Sequence, residues 1–351
     1  MRTCWVFDHP AHVRLLAPFL RAGTATDVIV ATNRHEVRQL IESSEGVLPR
    51  RQIIWVERPV GKGRFRAAWK RMRTVRQELR NAAKSGTRFE RIVAVGASLE
   101  LRVAKKIGIP NRWYISDTEI NHLAHKLARN AVTDAILPTH WDESIDDGWL
   151  NKFNQKKINV HRINGLHGHV HLRPQLRPVQ VQDTPSFVVR RLQGDGIHDS
   201  DEVLAIPEQI LEGIEITYAD ESKYTGDPWQ FTTMLSQHNG VITQSVTVAS
   251  ESVLMGVPTL LVSDAKRGFL NRLESDGYPL FRLTSQSDVE EIQAQFLAGL
   301  FLTEAFYQIL LLFLDAFVIG NKNKTEAIWS HNAIFSYKSI VLIGFAAYAE
   351  S

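Results

Sequence analysis

Two carboxylates, Asp117 and Glu119, follow the apolar run NRWYIS with no spacer. A carboxylate pair at the end of a strand is ill suited to a core. It suits a cleft, where either group can take a proton from a hydroxyl. His12 stands near the start of the first helical stretch, where it either packs and caps or meets a hydroxyl or a phosphate. His198 and Asp199 are adjacent, so the aspartate either fixes the imidazole tautomer or caps a helix. Glu251 lies in SVTVASESVLMGVPTLLV, after the strand-like NGVITQS. The small residues before it form a tight turn into a helix whose free N–H groups favour a phosphate. A carboxylate one turn in can accept hydrogen bonds from a ribose diol; the plainer reading is a glutamate favoured by the helix dipole. HGHVH spaces His167 and His171 four apart but falls in a stretch that reads as loop, and no cysteine cluster is present, so no metal site is expected.

These residues need elements to hold them. RTCWVFD reads as a buried strand ending at Asp8, HPAHVRLLAPFLRAG as a helix stopped at Gly23, and TDVIVAT as the next strand. The alternation recurs through ERIVAVG, SLELRVAKKIG, NRWYISD, INHLAHKLARNA and DAILPT. Continuous apolar strands separated by helices predict a parallel sheet covered on both faces. Residues 155–185 are rich in Gly, His and Pro and read as a loop and crossing. A second alternating set follows: SFVVRRL, a helix at 201–212, IEITYA, a helix at 228–238, NGVITQS, the helix carrying Glu251, PTLLVS, and a strand at PLFRLT. Two such sets predict two doubly wound domains, each binding ligands at the carboxyl ends of its strands.

At 351 residues the chain exceeds one ordinary core. Its single cysteine, Cys4, excludes a disulfide framework and suggests a reducing, cytoplasmic setting; no signal-peptide pattern opens the sequence. Net charge is only +3, but residues 50–91 hold fourteen Lys or Arg against three Glu, with Phe65, Trp69 and Met72 interleaved. That segment reads as a solvated helical face or as a patch for an anionic membrane or polyanionic substrate. No recognised nucleic-acid module accompanies it. From Gln295 the chain turns apolar, long enough to span a bilayer but interrupted by Glu304 and Asp315. A helix packed on the domains, a membrane-surface segment and an extension outside the main fold are the other readings.

The stretch from Ser245 to Pro258 resembles the donor-nucleotide motif of GT-B glycosyltransferases. More closely, the chain resembles the GT-B-like family called domain of unknown function 354, whose pattern is Gly-Gly-Thr-Met-x-x-Glu-Ala-x-x-x-Gly-x-Pro. Thr247, Glu251, Gly256 and Pro258 match it; Ser245 and Val246 replace the glycine pair, which narrows the approach of a phosphate. DHPAHV is similar to the family's opening motif, giving Asp8 and His12. SDTEINHLAHKLARNAVTDAILPT is the closest match, and VVRRLQGDGIHD gives Arg190 or Arg191, His198 and Asp199. In INGLHGHVHLRP a glycine or histidine stands where the family has glutamate. The resemblance covers about residues 1–290.

It implies two Rossmann-like domains facing a cleft, with residues 1–170 holding an acceptor, 171–294 a nucleotide-sugar, and 295–351 an apolar extension. It implies sugar transfer without a metal or other cofactor, to a glycan or lipid-linked acceptor. His12, Asp117 and Glu119 would face the chemistry. Ser245, Val246, Thr247, Glu251, Arg190, Arg191, His198 and Asp199 would hold the donor. The basic segment and the tail suggest an anionic membrane surface at its inner face. A UDP-sugar 2-epimerase is the rival, although its Thr-Glu-Arg-Pro-Glu stretch is missing and SDAKRGFLN stands there. A non-catalytic nucleotide- or polyanion-binding protein is the third reading.

Overall fold

The structure is a computed structural model that describes residues 1–59, 63–84, 86, 88–172, 185–192, 203–220 and 224–300. The chain divides into two compact units. The first comprises Met1–His171, Asp227–Trp229 and Lys266–Phe269, and the second the remainder.

The first unit runs β1 (Thr3–Phe7), α1 (Pro10–Arg21), β2 (Val28–Thr32), α2 (His35–Glu42), β3 (Gln52–Val56), α3 (Arg64–Lys84) and β4 (Arg91–Val95). It continues with α4 (Leu99–Ile107), β5 (Asn111–Ile115), α5 (His122–Ala128), β6 (Asp134–Pro138), α6 (Trp149–Gln155), β7 (Asn159–Ile163) and α7 (Gly168–His171). All seven strands are parallel, in the order β3-β2-β1-β4-β5-β6-β7. β1 is buried at every position because both its faces are covered. Cys4 and Val6 join a core with Val75 and Leu79 of α3; Trp5 and Phe7 join another with Leu16 and Leu20 of α1.

A buried ion network ties α3 and α4 to the end of β1. The Arg71 guanidinium donates to Glu100 at 2.6 Å, to Asp8 at 3.0 Å and to the Glu57 carbonyl at 3.4 Å. Thr32 donates its hydroxyl to the same Asp8 oxygen. The returning segment Asp227–Trp229 is fastened as well. Trp229 donates its indole N–H to the Leu40 carbonyl at 2.8 Å, and Arg14 donates to the Pro228 carbonyl at 2.9 Å.

The second unit contains β8 (Ser186–Arg190), β9 (Glu215–Tyr218), α8 (Phe231–Ser236), β10 (Gly240–Thr243), α9 (Val246–Leu254), β11 (Thr259–Val262), α10 (Gly268–Ser275) from Leu270 onward, and β12 (Leu280–Leu283). Its five parallel strands lie in the order β12-β11-β10-β8-β9. Phe187, Ile242, Leu260 and Leu283 form its core with Phe296, whose ring lies 5.6 Å from those of Phe187 and Phe281. The apolar run after Gln295 thus begins as helix packed on this sheet; the rest of the apolar extension, beyond residue 300, lies outside the described residues. Among the described residues no helix is long and apolar enough to cross a membrane.

Several expected elements differ. The loop expected over 155–185 contains β7 and α7. β7 is an edge strand with four of five residues exposed, so NVHRI lacks the apolar run that betrays its neighbours. In place of the helix expected at 201–212, the described residues hold one 3-10 turn, Glu208–Leu211, between Pro207 and Gly213. Pro207 has an extended ψ of 137° and cannot continue a helix backwards. The helix expected at 228–238 is shortened to α8.

Candidate functional site

In each unit the strand order reverses once, and open sheets of this kind bind ligands outside the carboxyl ends of the strands at that point. In the first unit the reversal falls between β1 and β4. Asp8, His9 and His12 follow β1 there, and Gly96 follows β4. Gly96 has φ +60°, which a side chain resists, and an added Cβ would lie 3.4 Å from Asn121 Nδ2 and 3.9 Å from His12 Cε1.

His9 caps α1, its Nδ1 accepting from the Ala11 N–H at 3.3 Å. Burial, the neighbouring His12 and Arg34 push its pKa down to about 3, so it stays neutral. His12 sits at the third position of α1, its Nδ1 enclosed and without a hydrogen-bond partner among the described residues. Burial lowers its pKa, against the opposing pull of Asp8 and Asp117. A neutral imidazole with two carboxylates nearby can take a proton and then be stabilised as imidazolium.

Asp117 follows β5 and faces the His167 Nδ1 at 3.4 Å. His167 is nearly enclosed, and its Nε2 has no partner among the described residues. The pair lines an apolar cavity of about 320 Å³ along the first sheet, together with Leu16, Phe19, Trp113 and Ile115. Sequence reasoning missed His167, because HGHVHL reads as loop.

Glu119 is placed otherwise than expected for a proton-transfer group. It is fully buried, and its Oε1 accepts from the Asp142 N–H at 3.0 Å and the Gly268 N–H at 3.3 Å. A Cβ on Gly268 would lie 2.2 Å from the His140 carbonyl and 2.5 Å from this carboxylate, so the approach requires glycine. The geometry is that of a brace holding the segment 266–269. Glu119→Ala strands the buried Gly268 N–H, at about 1–3 kcal/mol, and the part-buried Asp142 N–H, whereas Glu119→Gln keeps the acceptor. Urea unfolding is expected to show a large loss for alanine and little for glutamine. Burial raises the Glu119 pKa, with the backbone donors opposing. A raised carboxyl pKa stabilises the fold below the unfolded value and loses that contribution as pH rises through the folded one. Glu119→Gln therefore compares best with the native protein at neutral and higher pH.

In the second unit the reversal falls between β8 and β10. Arg190 ends β8; it donates to the Ala219 carbonyl at 2.7 Å and lies over the Phe231 ring at 4.9 Å. Arg191 is exposed, its backbone N–H held by Asp220 and its guanidinium over Tyr218. Ser245 caps α9, its hydroxyl accepting from the Val248 N–H at 3.4 Å. Thr243 and Gln244 tie this turn to the end of β8, through the Arg190 carbonyl and the Leu192 N–H. Val246 and Thr247, half-buried, supply the first helical N–H groups. Gly256, at φ +82°, ends the helix where the Gly-x-Pro of the sequence requires a left-handed residue.

Glu251 lies one turn into α9, as its sixth residue, and is fully buried. The apolar content of α9 explains this: seven of its nine residues are enclosed, and the second turn lies within the unit. His198 and Asp199 lie outside the described residues. Among the described residues no three His, Cys, Asp or Glu side chains are grouped to hold a metal.

No protein-family model matches the chain, and no curated protein matches it in sequence. Solved structures do. UDP-GlcNAc 2-epimerase from Neisseria meningitidis, bound to UDP-GlcNAc, aligns over 100% of both chains with TM-score 0.55 and 10% identity. The UDP complex of MnaA from S. aureus covers 84% of this chain and 90% of its own, with TM-score 0.56 and 9% identity. TcCGT1 in complex with UDP covers 100% of this chain and 99% of its own, at TM-score 0.52 and 10% identity. At such identities the likeness is one of fold, and the class it defines is GT-B-type: two Rossmann-like α/β units, each with a parallel sheet.

Proposed function

We propose that the protein is a metal-independent GT-B-type glycosyltransferase that moves a sugar from a nucleotide-sugar to a hydroxyl acceptor. The observation that carries this reading is the turn at the β8/β10 reversal, where Ser245 caps α9 beside Arg190. N–H groups of Val246 and Thr247 would meet the diphosphate, with Arg190 neutralising charge as it leaves. Arg191, His198 and Asp199 are proposed to border the same ligand. Glu251 would reach a ribose only if the groups enclosing it part on binding. The neighbours' complexes with UDP and UDP-GlcNAc favour a uridine donor.

In the first unit His12 is proposed to take the acceptor's hydroxyl proton, with Asp117 supporting the charge. The acceptor oxygen bonds to the anomeric carbon, the bond from that carbon to the diphosphate breaks, and the nucleoside diphosphate departs with the electron pair. The cavity lined by Asp117 and His167 fits an acceptor with an apolar body, a lipid-linked one included. The carboxylate after β5 also suits C2 proton abstraction by an epimerase, a fold-level analogy.

Purified protein incubated with nucleotide-sugars in deuterated water separates the readings. Acceptor-dependent nucleotide release supports transfer. Deuterium exchange at C2 without acceptor supports epimerisation and overturns transfer; binding with neither leaves a binding protein.

A further inference from the structure

α3 divides cleanly into two faces. Arg71, Val75, Leu79 and Ala82 are buried. Arg64, Arg66, Lys70, Arg73, Arg76, Arg80 and Lys84 are all exposed, and Arg88 continues the row. At 3.6 residues per turn, the positions from Phe65 and Arg76 round to Lys70 fall within about 140° of the helix circumference. Phe65 and Trp69 lie inside that sector, 79% and 59% exposed. The Arg64 and Arg73 guanidiniums lie over these two rings, at 5.3 and 5.6 Å from their centroids, so the cations and aromatics form one surface.

The charge pattern is costly to the helix itself. Glu78 is the only carboxylate within α3. Arg66, Arg76, Arg80, Lys84 and Arg88 have no ion pair among the described residues. Like charges three and four residues apart repel, so a solvated face of this length would be better served by mixed signs. Arg73, Arg76, Arg80, Lys84 and Arg88 line one shallow depression. Twenty-one helical residues extend about 31 Å, so the cations form a long stripe.

We infer that the outer face of α3 docks the protein on the anionic headgroups of a lipid bilayer. The cations meet the phosphates, and Phe65 and Trp69 enter the interfacial layer, where amphipathic aromatic rings are favoured. Nucleic acid would use the cations equally, but the aromatics sit on a convex helix rather than in a channel where bases stack. The docking is independent of sugar transfer. The stripe lies on the opposite face of the first sheet from the cavity at Asp117, so neither site needs the other.

Sedimentation with vesicles tests the inference on the full chain. Vesicles with 30% phosphatidylglycerol in phosphatidylcholine are expected to pull the protein down, and pure phosphatidylcholine vesicles are not. Each cation near a charged surface contributes about fivefold to partitioning. The triple variant Arg73→Gln, Arg76→Gln, Arg80→Gln should therefore lose roughly a hundredfold, and 0.5 M salt should mimic it. Phe65→Ser with Trp69→Ser keeps every charge and should weaken retention while circular dichroism stays native. Equal retention by both vesicle types, an unchanged triple variant, or binding to a 20-base-pair DNA duplex in preference to the anionic vesicles overturns the proposal.

Discussion

Arg71→Met is expected to destabilise the protein by about 3–5 kcal/mol, the cost of breaking a buried ion pair by removing one partner. The guanidinium is 3% exposed and the Glu100 carboxylate 1%, so Glu100 would be left charged with no water to replace its partner. Typical domains have only about 5–15 kcal/mol in total, and the urea midpoint should fall accordingly. Arg71→Met with Glu100→Leu removes both charges and should recover most of the loss. The effect depends on pH through Asp8. Burial disfavours the Asp8 carboxylate, but the Arg71 cation and the Thr32 hydroxyl outweigh it and lower its pKa to about 2. A depressed carboxyl pKa contributes stability above its unfolded value, near 3.9, that is lost as pH falls through the folded value. The gap between native protein and Arg71→Met should therefore narrow between about pH 4 and 2.

His12→Gln is expected to lower kcat of the proposed transfer by about 10²–10⁴, the usual contribution of a positioned base. Glutamine fills similar space, so thermal unfolding should change little. The imidazole is kept neutral by burial, and its pKa lies below the ordinary 6.5. Activity should therefore persist into acid beyond that value, with the acidic limb of kcat/KM displaced downward. An unchanged rate in His12→Gln, with the acidic limb still present, would transfer the base role to another group. His167, paired with Asp117, is then the one to replace.

The strands that bury both faces were legible because their apolar runs are unbroken. VIVAT and RIVAV admit no other placement, and the sheets they predict are present. Where a strand lies at an edge, the signal vanishes, as in NVHRI. Within residues 50–91, β3 was hidden because QIIWV is short, while α3 was legible only as a helical face of unset bounds, its four buried positions over 21 residues masked by eight cations. Asp117 and Ser245 lie just past strand ends and His12 in the first turn of the helix after β1, positions that are fixed once the buried strand is found. Glu251 and Glu119 show the limit of that reasoning. Spacing places both near a ligand, but whether a carboxylate faces outward or braces backbone depends on packing from segments remote in sequence. Gly268 meets Glu119 across 149 residues. The Asp117–His167 pair and the Arg71 ion pairs are likewise long-range: the first joins residues 50 positions apart, and Arg71 lies 29 positions from Glu100 and 63 from Asp8.

Calorimetric titration of the purified protein with UDP is the most direct test of the central claim, that the turn capped by Ser245 beside Arg190 binds a nucleoside diphosphate. Saturable binding is predicted. Arg190→Ala should weaken it by at least about tenfold, consistent with a lost charge-assisted contact. His12→Gln should leave it unchanged. No detectable UDP binding, or equal affinity in folded Arg190→Ala, would contradict the account.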